Sequence, residues 1–179
     1  MDQTVKIKDK EFTVLISAEK IQERVSDIAG QINNDYRNKT PLFIGVLNGA
    51  FLFTADLFKK IDLTCELSFV RVSSYSGTSS TGTVRNLIGL NEDLKDRDII
   101  VIEDIVDTGD TMVYLLDELK KHSPASVRLA TAVFKPKALR HPIRPDYVGF
   151  ELPPAFIVGY GLDYDGIGRN LNDIYVLKE

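Results

Sequence analysis

Two runs in this chain have no polar face. Leu42-Phe43-Ile44-Gly45-Val46 and Ile99-Ile100-Val101-Ile102 carry no polar side chain at any position. A strand with one face in water alternates apolar and polar residues, so runs like these must be covered on both sides. Each is followed by a helical pattern. Ala50 to Lys60 is heavily apolar, and Met112, Leu115, Leu116 and Leu119 mark a helix from Thr111 to about His122. Val127, Leu129 and Val133 mark the next strand. Buried strands alternating with helices predict an α/β fold with a largely parallel central sheet flanked by helices.

The flanking segments fit that plan. Val5 to Ile16 reads as two short β segments around Lys8-Asp9-Lys10. Ser17 is a good N-cap for an amphipathic helix from Ala18 to about Tyr36, with Ile21, Val25, Ile28 and Ile32 on its apolar face. Cys65–Ser73 and Val84–Leu90 read as strands around Tyr75–Thr83, whose Gly, Ser and Thr content predicts a flexible loop able to close over a cleft. Tyr147–Phe150, Phe156–Tyr160 and Ile174–Leu177 are further strands. The extra segments at the two termini should form a small hood on one domain spanning residues 1–179.

Composition narrows the function classes. At 179 residues the chain is one domain by the usual range of roughly 100–200 residues. A hydrophobic content of 44% and a net charge of −4 suit a globular protein and disfavour a broad electrostatic grip on nucleic acid. No apolar run approaches the ~18 residues of a membrane span, and Met1 to Glu11 does not read as a signal peptide. The single cysteine, Cys65, allows no internal disulfide and points to a reducing compartment, the cytoplasm.

In open parallel sheets, ligands bind beyond the carboxyl ends of the strands. The second apolar run continues as Glu103-Asp104-Ile105-Val106-Asp107-Thr108-Gly109-Asp110-Thr111. On this reading the strand ends in two carboxylates, and a short turn then opens a helix. Unpaired N–H groups at the helix start, two hydroxyls and a close-fitting glycine make a phosphate cradle. Acids beside an anion site make sense if the ligand also brings sugar hydroxyls or a Mg²⁺ ion. The bland alternative is a helix start after a strand with solvated acids. A P-loop is excluded, because no Gly-Lys-Ser/Thr follows the glycine, and the spacing is not that of an aspartyl-phosphate enzyme.

The segment from Ile99 to Thr111 resembles the phosphoribosyl pyrophosphate motif of the type I phosphoribosyltransferases, and most of the chain shares the likeness. Val46-Leu47-Asn48-Gly49-Ala50, Ser74-Tyr75, Phe134-Lys135-Pro136, Phe156 to Tyr164 and Arg169 bring it nearest the 6-oxopurine branch. That resemblance implies transfer of a 5-phosphoribosyl group from phosphoribosyl pyrophosphate to hypoxanthine, and to guanine, giving the nucleoside monophosphate and pyrophosphate. Glu103 and Asp104 would hold the ribose hydroxyls with Mg²⁺ nearby, and Asp107 would take the proton from purine N7. Thr108, Gly109, Asp110 and Thr111 would bind the 5′-phosphate, Asp110 through its backbone only. Leu47, Asn48, Gly49, Ser74, Tyr75 and Arg169 would meet the pyrophosphate. Relatives commonly carry Lys and Gly where this chain has Asn48 and Ala50. Lys135 would donate to the 6-oxo group, Phe156 would stack on the purine, the Ile157 backbone would bond its edge, and Asp163 would bind a second Mg²⁺.

The resemblance further implies a homo-oligomer, dimer or tetramer, with Phe51-Leu52-Phe53 either interface or core. His122 and His141 read as surface residues. Two other readings remain open at this point: a nucleotide-sensing regulator of the same fold that binds nucleic acid, and transfer to another base such as xanthine.

Overall fold

The computed structural model describes residues 4–75 and 84–178. Among the described residues, ten strands and three α-helices follow in chain order: β1 Thr4–Ile7, β2 Lys10–Ile16, α1 Ala18–Asp35, β3 Leu42–Leu47, α2 Phe51–Phe58, β4 Glu66–Tyr75, β5 Val84–Ile88, β6 Asp98–Val106, α3 Asp110–Lys120, β7 Ser126–Phe134, β8 Tyr147–Glu151, β9 Ile157–Val158 and β10 Ile174–Leu177. The loop expected over Tyr75–Thr83 lies, from Ser76 on, outside the described residues.

The main sheet has the order β5-β4-β3-β6-β7-β8. Strands β4, β3, β6, β7 and β8 are parallel, and β5 pairs antiparallel at the edge. The apolar runs are covered on both faces, as their composition requires. Phe43, Ile100 and Ile102 pack with Ile21, Val25, Ile28 and Ile32 of α1 and Phe53 and Leu57 of α2. Leu42, Ile44, Ile99 and Val101 pack on the opposite face with Met112, Leu115 and Leu119 of α3.

The hood is a four-stranded antiparallel sheet in the order β1-β2-β10-β9, so both termini build it. Its Ile16, Ile157 and Ile174 join the apolar cluster under α1, which seats it on the main sheet.

Two elements differ from the sequence reading. The strand expected over Phe156–Tyr160 is reduced to Ile157–Val158, because the backbone turns left-handed at Gly159, at Tyr160 (φ 49°) and at Gly161 (φ 96°). Strand β6 does not end at Ile102 but runs on to Val106, held by pairing of Glu103, Ile105 and Val106 with β7. Both carboxylates therefore lie within the strand. Strict alternation would send Ile105 to the α3 side, yet it packs with Ile100 and Ile102. The alternation resets across Glu103 and Asp104, where the side chains take up strand N–H groups themselves.

Candidate active site

Because β3, β6 and β7 are parallel neighbours, the segments leaving their carboxyl ends reach one edge of the sheet. Those segments are the turn Leu47–Ala50, the turn Asp107–Gly109 and Lys135.

The acid pair sits at the centre. Asp104 N–H donates to Glu103 Oε1 at 3.1 Å, and Ile105 N–H donates to Asp104 Oδ1 at 2.8 Å. Glu103 is buried. Burial first, and then the Asp104 charge, push its carboxyl well above the usual range. Burial also raises Asp104, against hydrogen bonds and the charge of Arg169 that lower it. Two carboxylates this close, Glu103 buried and Asp104 half-buried, favour a proton, a hydroxyl donor or a cation between them.

Backbone closes around that pair. The Leu47–Asn48 peptide is cis. A Cβ at Gly49 would overlap the Asp104 carboxylate, and a Cβ at Gly161 would overlap the Gly49 carbonyl. The absence of side chains at these two positions lets the hood, the β3 turn and the acid pair stack directly. Beyond Gly161, Arg169 donates to the Gly161 carbonyl at 2.7 Å and pairs with Asp163 Oδ1 at 2.5 Å. The other Asp163 oxygen accepts from Gly166 N–H at 2.6 Å. Asn48 points to solvent and Ala50 is buried.

Two helices start here, and neither N-cap residue supplies a side-chain bond. Helix α1, remote from this edge, is capped by Ser17, which accepts from Lys20 N–H at 3.5 Å. Helices α2 and α3 have Ala50 and Gly109 as N-caps with no side-chain bond from the cap residue, while the Asp110 N–H at the start of α3 reaches Thr108 Oγ1 at 3.4 Å. Their first N–H groups and the positive ends of their dipoles face the edge where anions would bind. In the α3 turn, Thr108 Oγ1 donates to Asp110 Oδ2 at 2.9 Å, and Thr111 is exposed. His141, expected on the open surface, lies with Nε2 2.5 Å from Asp110 Oδ1. The Arg140 N–H donates to the Thr108 carbonyl at 2.9 Å, which returns this segment to the turn.

Lys135 departs furthest from the usual behaviour of lysine. It is 5% exposed. Its Nζ donates to the Ala155 carbonyl at 2.8 Å and to Asp107 Oδ2 at 3.2 Å. Phe156, next to Ala155, is no core side chain: it is 44% exposed. Its ring lies edge-on to Tyr164 at 5.6 Å and tilted to the fully buried Phe12 at 6.1 Å. Ile157 is buried.

The structure thus brings Glu103, Asp104, Asp107 to Thr111, Leu47 to Gly49, Lys135, Phe156, Ile157, Asp163 and Arg169 to one edge. Ser74 and Tyr75 end β4, their backbones paired with Arg85 and Val84. Sequence reasoning missed His141, the Ala155 carbonyl and Gly161 as a contact. The only signal for His141 was its place a few residues past the end of β7. Among the described residues, no three acidic, imidazole or thiol side chains form a ready metal cage.

Comparison with known proteins places this geometry. Residues 16–165 match the family model of the phosphoribosyl transferase domain. A hypoxanthine-guanine phosphoribosyltransferase of Bacillus subtilis is 45% identical over 166 residues, covering 92% of both chains. A bifunctional protein TilS/HprT of Listeria monocytogenes is 44% identical over 92% of this chain, which spans only 26% of that longer protein. Among solved structures, a hypoxanthine-guanine phosphoribosyltransferase of Bacillus anthracis superposes with a TM-score of 0.85 at 34% identity, over 97% of this chain and 99% of that one. With the family model matched over residues 16–165 and relatives at this identity and coverage, the chain belongs to the phosphoribosyltransferase family.

Proposed function

We propose that this chain acts in purine salvage, transferring the 5-phosphoribosyl group from phosphoribosyl pyrophosphate to N9 of hypoxanthine and of guanine. One observation carries the base assignment: Lys135 Nζ and Asp107 Oδ2 stand side by side at 3.2 Å. A 6-oxopurine presents its O6 acceptor and its N7 position next to each other on one edge. A buried ammonium beside a carboxylate complements that edge when N7 carries a proton. Adenine, with a 6-amino donor, would meet the Lys135 ammonium with like polarity. Of the three Lys135 protons, one serves Ala155 O and one serves Asp107, leaving the third for O6.

In the proposed reaction, N9 bonds to C1′ of the ribose as the bond from C1′ to the pyrophosphate oxygen breaks, and the N7 proton passes to Asp107. The exposed Phe156 ring stacks on the base, with Phe12 and Tyr164 holding it in place. Glu103 and Asp104 accept the ribose hydroxyls. The α3 turn takes the 5′-phosphate, and the α2 start takes the pyrophosphate beside Arg169. The oxygen-only donors Glu103 and Asp104, crowded together, suit Mg²⁺, which is commonly held by one or two carboxylates and completed by substrate phosphate. When bound, Mg²⁺ neutralises the leaving pyrophosphate. Asp163, already bonded to Arg169 and Gly166 N–H, keeps lone pairs for a second ion.

We place the enzyme in the cytoplasm as a homo-oligomer of a single domain type. The test is a turnover screen of hypoxanthine, guanine, xanthine, adenine and uracil with phosphoribosyl pyrophosphate and Mg²⁺. Turnover of hypoxanthine and guanine, lost on chelation, supports the reading. Turnover of adenine or uracil alone would overturn it, and xanthine as the best substrate would correct the base.

A further inference from the structure

The α3 turn contains a carboxylate where an anion is to bind. Asp110 is the first residue of α3, and its side chain belongs to the same turn whose N–H groups would receive a phosphate. An uncompensated charge there would repel the ligand. The carboxylate is instead drawn away on three sides. Thr108 Oγ1 donates to one oxygen at 2.9 Å, and Arg140 Nη1 lies 3.7 Å from that same oxygen. His141 Nε2 lies 2.5 Å from the other, and the nitrogen facing an ionised carboxylate carries the proton. The His141 bond is the largest of the influences that hold the Asp110 carboxyl below its ordinary range.

The same segment braces the turn's backbone. The Arg140 N–H donates to the Thr108 carbonyl at 2.9 Å. Gly109 is buried, with Leu139, His141 and Ile143 side chains in van der Waals range of the place a Cβ would take. Asp110 and His141 line an open groove along α3, so this contact lies outside the apolar core.

We propose that His141 is a positioning residue for the phosphate turn: it turns the Asp110 carboxylate off the phosphate and compensates its charge, with Arg140 in support. This inference rests on the reading of the α3 turn as the 5′-phosphate site. It makes the effect of His141 conditional on Asp110. Removing the imidazole hurts only while residue 110 carries a charge.

Steady-state kinetics test it, after wild-type turnover has tested the reading itself. His141→Ala should raise KM for phosphoribosyl pyrophosphate roughly tenfold, equivalent to ~1.4 kcal/mol. Its kcat and its KM for hypoxanthine should stay within about threefold, that is, below ~0.7 kcal/mol. His141→Gln, whose amide can still donate to Asp110, should keep KM near wild type. Asp110→Asn added to His141→Ala should return KM toward wild type, because the charge needing compensation is gone while the N–H remains. Direct binding of ribose 5-phosphate, measured by calorimetry, should follow the same order. An unchanged KM in His141→Ala overturns the proposal. So does a rise that Asp110→Asn fails to relieve, or an equal rise in both substrates' KM, which would mark His141 as merely structural.

Discussion

Strand β6 carries acids at both ends, and the two ends treat them in opposite ways. At the amino end, Asp98 accepts from Ser126 Oγ at 2.5 Å and pairs with Lys39 Nζ at 3.1 Å. Burial pushes its carboxyl up, but the hydroxyl, the ammonium and Arg128 outweigh burial and leave it below its ordinary value. Nearby, Arg128 pairs with Asp35 at 2.7 Å and donates to Tyr147 Oη at 2.8 Å. At the carboxyl end, Glu103 and Asp104 press against each other, and both are raised. One end is electrostatically closed within the protein. The other keeps an imbalance that a ligand would resolve. Substitutions at the carboxyl end should therefore cost activity, and those at the amino end only stability.

The largest effect belongs to Asp107. Asp107→Asn keeps size and hydrogen bonding but loses the basic oxygen, so kcat should fall roughly 10²–10⁴-fold, the usual worth of general acid–base catalysis. Its melting temperature should fall only modestly, because the Asp107 side chain is 46% exposed and an Asn oxygen can still accept from the buried Lys135 Nζ. Near-normal turnover would remove Asp107 from the mechanism.

Lys135→Ala comes next. It should raise KM for hypoxanthine by about 10- to 150-fold, from the ~1.5–3 kcal/mol of a hydrogen bond to a charged group. KM for phosphoribosyl pyrophosphate should move far less. Equal changes in both would place Lys135 in the support of the whole cleft instead.

How much of this was legible in the sequence depends on distance along the chain. The apolar runs announced the covered sheet because period and burial are local properties, and Ser17 announced its helix for the same reason. The α3 turn was legible because strand, acids and helix start are contiguous. The contacts of Lys135 with Ala155 and of His141 with Asp110 were not, since they span 20 and 31 residues and depend on how β7 returns to the edge. The overextension of Phe156–Tyr160 as a strand has a similar cause. A short run of apolar and aromatic residues gave the pattern, but Gly161 had to turn toward Gly49, a partner far away in sequence.

Glu103→Gln tests the imbalance through stability. A carboxyl raised on folding contributes stability that is complete below its unfolded value, near 4.5, and lost as pH rises through the folded value. Wild type should thus bear a cost that grows as pH rises above 4.5 and that Gln does not. Without ligands, the variant's Tm should exceed wild type by about 2–4 °C at pH 8, the shift that ~1 kcal/mol gives a domain of this size. The gap should narrow at pH 5, and turnover should fall at both. A variant no more stable than wild type at pH 8 would show that the pair is already satisfied.

Asp98→Asn should have the smallest effect and the opposite pH dependence. The Asp98 carboxyl is lowered, so its contribution is present above the unfolded value near 3.8 and is lost as pH falls through the folded one. At pH 7 the variant loses a charge-assisted bond to Ser126 and a half-exposed pair with Lys39, whose side chain is 50% exposed. Exposed pairs contribute about 0.2–1 kcal/mol, so Tm should fall by no more than about 2–4 °C. The deficit should close as pH falls below 3.8 through the folded value, where wild-type Asp98 also takes up a proton. Because Asp98 lies at the far end of β6 from Glu103, kcat and both KM values should match wild type. A kinetic defect comparable to that of Lys135→Ala would mean that the two ends of the strand are coupled, and that the amino end does more than hold the sheet together.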